Sequence, residues 1–116
     1  MNSKLVDIVI VNWNTGNLLK NCLNSILKFK NDSIDSVVVV DNGSTDDSLT
    51  KIDIDLQHFK IVREKINHGF GKACNIGAKL CKSRYILFLN PDTEVNESSI
   101  STAIEYMEKD SSSNIG

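Results

Sequence analysis

Proline is almost missing from this sequence: Pro91 is the only one in 116 residues, and glycine numbers six. That excludes collagen-like order, and an apolar share of 41% beside 24% charged residues argues against a disordered chain. Cysteine is sparse too. Cys22, Cys74 and Cys81 make an odd set, and the gap between the last two fits neither a zinc knuckle nor a redox CxxC pair. Three reduced, buried thiols are expected, and with them a cytoplasmic protein. No apolar run is long enough for a membrane span, since the N-terminal "LVDIVIV" is short and broken by Asp7. Membrane association is expected only through segments outside this sequence. Positive charge is not in excess either. Thirteen Lys and Arg against fifteen Asp and Glu give a net charge of −2, with the basic residues scattered. Neither nucleic acid nor a polybasic contact with a membrane is therefore expected.

What the sequence does contain is alternation, within a length that fits one domain. Four short β-branched or aromatic runs stand out: "LVDIVIV" (5–11), "SVVVVD" (36–41), "FKIVRE" (59–64) and "YILFLN" (85–90). The second and fourth are nearly continuous apolar runs, which predicts strands covered on both faces. Between them run helical patterns. Leu18, Leu19, Cys22, Leu23, Ile26 and Leu27 predict a helix over 17–29, with Thr15 or Asn17 at its N-cap. "STDDSLTKI" predicts a short helix opened by Ser44. "GKACNIGAKLCKS" predicts another with Ala73, Ile76 and Leu80 inward, and "ESSISTAIEYMEKD" a last one through Ile100, Ala103, Ile104 and Met107.

Strand and helix in alternation predict an α/β fold, a parallel sheet of about four strands flanked by helices. Ligands of such sheets bind beyond the carboxyl ends of the strands. The polar strand endings "NWN", "DNGSTD" and "NPD" and the Gly-rich loop "NHGFGKACN" should then face one common edge. The chain stops at "NIG", after a helix, where another strand is due, so C-terminal truncation of a longer domain is expected.

Each ending has two readings. Asp41 closes a buried strand, and "NGSTD" after it explains itself as an Asn-Gly turn with a capping hydroxyl. The carboxylate is either part of that cap or an acceptor for a base N–H or a ribose hydroxyl. "NHGFGKACN" has neither P-loop spacing nor the dinucleotide fingerprint, because Cys74 stands in place of the third glycine. Its glycines still let a backbone approach a ligand, and Lys72 puts a cation in a helix first turn, where the dipole disfavours it. That lysine is either solvated or waiting for an anion. Pro91 stops the fourth strand. Asp92 and Glu94 are either surface acids or, in the case of Asp92, a ligand for Mg²⁺ or Mn²⁺ completed by substrate phosphates and water. Trp13 and His68 read most simply as a roof over the sheet edge and a solvated loop side chain.

In order and at the usual intervals, "VDIVIVNWN", "VVVVDNGSTDDS", "NHGFGKACNIGAK" and "YILFLNPDTEV" resemble the nucleotide-binding half of a family 2 glycosyltransferase of the Rossmann-like GT-A fold, rhamnosyltransferase-like members above all. The resemblance spans nearly the whole chain. It implies that Val11, Asn12, Trp13 and Asn14 line a base and ribose pocket and that Asp41 accepts from a pyrimidine N–H. Asn67, Gly69 and Lys72, with Asn75 behind them, would form the floor near ribose and diphosphate. "NPD" occupies the place of the family's DxD motif, so Asp92 would bind the divalent cation. Asn90, neutral where many members carry an aspartate, keeps a ribose contact but weakens the metal site. The implied donor is a UDP- or dTDP-sugar, and the acceptor hydroxyl belongs to a glycan or lipid-linked molecule, for cell-surface polysaccharide or glycoconjugate synthesis. Transfer is with inversion, and the general base is expected beyond Gly116. These residues alone would bind nucleotide weakly and transfer nothing.

Three other functions share parts of this layout. A nucleotidylyltransferase would carry a GxGxR-type loop where this chain has "VNWNTGN". A phosphoacceptor receiver domain would need an acidic cluster that the first and fourth strand ends lack. A non-catalytic nucleotide-binding module is the third.

Overall fold

The computed structural model describes residues 4–29, 31–52 and 59–113. Along the chain come β1 (Val6–Asn12), α1 (Leu18–Lys28), β2 (Ile34–Asn42), β3 (Phe59–Glu64), α2 (Phe70–Ala78), β4 (Tyr85–Leu89) and α3 (Ser99–Ser113). The terminal "NIG" lies outside the described residues.

All pairings in the sheet are parallel, in the order β3-β2-β1-β4. This is the start of the Rossmann order. A receiver domain would instead place its third strand beside its first, so that rival fails on topology. The strand period of two sorts the side chains. Val6, Ile8 and Ile10 join Val37 and Val39 on one face, where Leu19, Cys22, Leu23 and Ile26 of α1 and Ile100 and Ile104 of α3 cover them. Val9, Val38 and Val40 point to the other face, under Ala73 of α2. Each such fully buried aliphatic side chain contributes roughly 1.5–3 kcal/mol. Helices thus cover both faces of β2, as its continuous apolar run leads one to expect, and of β1 as well.

Three expectations need correction. β4 is an edge strand rather than one covered on both faces, and Phe88 is 48% exposed. The cause is the position of α2, which lies over β1 and β2 and leaves that side of β4 open. A Cβ added at Gly77 would come within 2.6 Å of Val9 Cγ1 and 3.1 Å of Val40 Cγ2, so the glycine sets how closely α2 approaches. Leu80 is exposed because α2 ends at Ala78, before the apolar stripe reaches it. Residues 44–52 form hydrogen-bonded turns and no helix. Only the Lys51 N–H to Asp47 oxygen bond has helical spacing there, and the first polar groups of the segment are taken by side chains. Such local side-chain bonds compete with helix formation.

Asp7, which breaks the first apolar run, is a structural pin at the amino end of the sheet, opposite the polar strand ends. Its carboxylate is buried and accepts the Ser36 hydroxyl at 2.6 Å and the Lys82 and Ser83 N–H groups at 2.8 and 2.9 Å. Burial pushes this carboxyl up, but the hydrogen bonds from Ser36, Ser83 and Lys82 outweigh it and hold the pKa below the usual 3.8. The stabilisation is therefore complete above that value and is lost as the pH falls through the lower, folded one. Asp7→Asn can keep its oxygen on the Lys82 and Ser83 N–H groups but loses the charge that strengthens all three bonds and the bond accepted from Ser36, and should cost about 1–3 kcal/mol at neutral pH. Thermal melts across pH should show this loss, together with a shallower fall in stability for the variant below about pH 4.

Candidate functional site

Because the strands run parallel, β1, β2 and β4 end at one edge. Asn12 pairs with Asp41 across the β1–β2 ladder, and Ile10 pairs with Leu89 across β1–β4. Neighbouring strands lie about 4.8 Å apart, so the ends of β2 and β4 flank β1 at a separation of roughly 10 Å. Alternation splits this rim into two polar clusters, one on each face of the sheet.

The first cluster is on the α1 side. Asp41 is buried, and its Oδ1 accepts Asn12 Nδ2 at 2.9 Å and the Ser44 hydroxyl at 2.7 Å. Among the described residues its Oδ2 takes only the Ser44 N–H, at 3.3 Å, and is the edge left for a further donor. Asn12 is saturated: Nδ2 also reaches the Ser48 hydroxyl at 2.9 Å, and Oδ1 accepts from Thr15. Ser44 is thus held by Asp41 and caps no helix. Asn14 has a φ of 51° and uses its side-chain oxygen to cap the N–H groups of Thr45 and Asp46 at 2.7 and 3.1 Å. Asp46 returns a bond to the Gly16 N–H at 3.0 Å and holds the Ser48 hydroxyl and N–H. Those two Ser48 bonds, first among the causes, keep its carboxyl below the ordinary range. The loop after β1 and the loop after β2 are therefore locked together.

The second cluster is on the α2 side. Asn42, buried at the end of β2, binds residues 67–69 with both ends of its amide. Asn67 Oδ1 accepts the Gly69 N–H at 2.7 Å, and His68 Nε2 lies 2.9 Å from Glu64 Oε1. His68 is therefore tied into the loop rather than merely solvated. Gly69, with a φ of 86°, precedes α2, whose first turn has no side-chain cap.

The remaining predicted residues are spread along the rim. Val11 and Asn90 share a small hollow with Phe70, Cys74 and Phe88. Lys72 and Asn75 lie together on the outer side of α2, and Lys72 has no ion-pair partner among the described residues. Trp13 is 52% exposed at the tip of β1. Asp92 is exposed and close enough to Cys22, with Glu94, to help burial raise that thiol to about 12. Burial likewise raises Cys74 and Cys81, so the thiols stay protonated. Among the described residues no group of three or more His, Cys, Asp or Glu could hold a metal by itself. An exposed carboxylate does fit an ion whose other ligands are phosphate oxygens and water.

The sequence reading missed Asn42 and Gly43, which look like ordinary turn residues. The signal lay in the uninterrupted valines before them: a strand buried on both faces carries its burial into its last residues. Gly43 has a φ of 79°, and a Cβ there would fall 2.5 Å from the Ile66 carbonyl carbon.

A family model described as "Glycosyl transferase family 2" matches residues 7–116. The chain belongs to that family. Curated relatives agree with this assignment. Glycosyltransferase GlyG of Streptococcus pneumoniae is 31% identical over 98% of this chain and 39% of its own length. Chondroitin synthase of Escherichia coli is 29% identical over 91% of the chain and 16% of its own. Among solved structures, S. aureus TarS 1-349 with UDP-GlcNAc has a TM-score of 0.77 at 24% identity, covering 90% of this chain and 31% of that one. That likeness shows the GT-A fold. The family 2 chain described here spans two-fifths or less of each of these proteins.

Gly43→Ala should cost about 1–3 kcal/mol, from the positive φ and the backbone clash together. Chemical denaturation should report the loss, and hydrogen exchange should show residues 65–69 released from the end of β2.

Proposed function

We propose that these residues form the donor-binding half of an inverting glycosyltransferase catalytic domain that takes a nucleotide-diphosphate sugar. The observation that carries this reading is the convergence of the polar ends of β1, β2 and β4 and the loop before α2 on one edge of a family 2 sheet. The UDP-GlcNAc and UDP complexes of TarS support a UDP-sugar as donor, and dTDP is the alternative base. A hexose is the sugar we propose, with rhamnose the first to test.

In this reading Trp13, on the tip of β1, offers an exposed ring to the base, and Asp41 Oδ2 remains open to a base N–H. Val11, Asn12 and Asn14 shape the base and ribose side, and Asn90 reaches the ribose. Asn67 and Gly69 set the floor, with Asn75 behind them. Lys72 and the uncapped first turn of α2 offset the negative charge that gathers on the departing diphosphate. A divalent cation, Mg²⁺ or Mn²⁺, held by Asp92 would add Lewis-acid stabilisation of the same charge. Asn90 contributes no charge to it, so one carboxylate carries the protein's share.

The acceptor hydroxyl, from a glycan or a lipid-linked molecule, attacks from the face opposite the diphosphate and loses its proton to a carboxylate. Glu94, Glu97 and Glu105 are exposed in the loop after β4 and on α3. We place the base in sequence beyond Gly116, and with it the acceptor site. The whole enzyme would then serve cell-surface polysaccharide or glycoconjugate synthesis from the cytoplasm. Among the described residues no helix is long and apolar enough to cross a membrane.

Calorimetric titration with UDP, dTDP and GDP, each with Mn²⁺, Mg²⁺ or chelator, tests the reading. One of the diphosphates should bind at least about tenfold more tightly with metal, a difference near 1.4 kcal/mol. Asp92→Ala should remove that difference and leave the metal-free affinity in place. Absence of binding to every nucleotide would refute the donor site, and a metal effect that survives in Asp92→Ala would refute the role of Asp92.

A further inference from the structure

Asn42 is buried, and its side chain makes three bonds to one loop. Its Oδ1 accepts the His68 N–H at 3.0 Å, and its Nδ2 donates to Asn67 Oδ1 at 3.0 Å and to the Gly69 carbonyl at 3.3 Å. The orientation of both amides is forced. The Gly69 N–H can only donate, so the Asn67 atom facing it is the oxygen. The Asn42 atom beside that oxygen must then be the NH₂ group, and its carbonyl falls on the His68 N–H. Position 42 therefore needs one acceptor and two donors, which a carboxamide supplies and a carboxylate does not.

We propose that Asn42 is a positioning residue: through its amide it fixes residues 67–69 against the end of β2 and so sets the placement of Asn67, Gly69 and the first turn of α2 for the nucleotide. This deepens the donor-site reading above and rests on it for the ligand, but the loop geometry stands independently. Gly43 adds a second, steric contact at the same junction, because its backbone lies against Ile66 and Asn67. Asn42 belongs to the opposite face of the sheet from Asp41, so the two clusters hold different loops. An aspartate at 42 keeps the shape and the bond from His68 but sets a charge against two oxygen acceptors. Protonation of that acid restores one donor. In the β2–β3 register Asn42 stands beside Glu64, which is paired with His68 of the loop, and Asp41 before it points to the opposite face.

The test compares wild type, Asn42→Asp and Asn67→Ala by hydrogen exchange without ligand and by calorimetry with UDP and dTDP. Each variant is read as a ratio to wild type at the same pH, so that pH effects common to both proteins cancel. Asn42→Asp should raise exchange at the His68 and Gly69 amides, and weaken nucleotide binding, by tenfold or more at neutral pH. Both ratios should return toward one as the new carboxyl takes up its proton. Asn67→Ala removes an exposed side chain and should move both readouts the same way by a few-fold, which keeps the test decisive should Asn42→Asp fail to fold. Wild-type exchange and affinity in Asn42→Asp at every pH would overturn the proposal, as would unchanged loop exchange in Asn67→Ala. If wild type binds no nucleotide, the donor reading falls, and the exchange ratios still decide the role of Asn42.

Discussion

Asn12 and Asp41 face each other in the parallel ladder of β1 and β2, joined by a buried amide–carboxylate hydrogen bond of 2.9 Å. A carboxylate at that depth needs donors around it, and it finds them in Asn12 and Ser44. Those bonds fix where two loops leave the sheet. Asn12 reaches on to Ser48 and Thr15, and across the same gap Asn14 Oδ1 accepts the Asp46 N–H while the Asp46 carboxylate accepts the Gly16 N–H. The rim is thus a network with its polar groups paired, and no buried side-chain polar atom among the described residues lacks a partner. A surface prepared in this way leaves a few groups pointing outward: Trp13, Lys72 and Asp92.

Strand alternation then divides the work. Successive residues Asp41 and Asn42 point to opposite faces, so one strand end ties the β1 loop on the α1 side and the Gly-rich loop on the α2 side. Gly43 follows with a positive φ and turns the chain where no Cβ would fit. Three consecutive residues therefore carry most of the geometry of the proposed donor site. At the opposite end of the sheet Asp7 performs a comparable task with hydrogen bonds from Ser36, Lys82 and Ser83, which holds the α2–β4 connection away from the rim.

Much of this was legible before the fold was in view. The strands, three of the helices and the common edge follow from apolar periodicity and from the rule that parallel strands end together. Misreadings arose where tertiary contacts decide. "STDDSLTKI" has helical composition, but Asn12 and Asn14 claim some of its polar groups from the loop after β1, and Asp46 takes the Ser48 N–H within the segment itself. The run at 85–90 is apolar enough for burial on both faces, yet burial there depends on where α2 sits, which Gly77 and Val9 determine. Asn42 was passed over because "DNG" alone describes a turn. Only the register shows that its amide is buried and aimed at residues 67–69.

The claim on which the account turns is that a nucleoside diphosphate lies across this rim. Amide chemical-shift mapping of the isotope-labelled chain during titration with UDP or dTDP tests it most directly. The account predicts shifts concentrated at residues 11–14, 41–46, 67–75 and 90–92. Shifts centred instead on the amino ends of the strands, around Lys4, Asp7 and Asp35, or evenly spread over the chain, would contradict it.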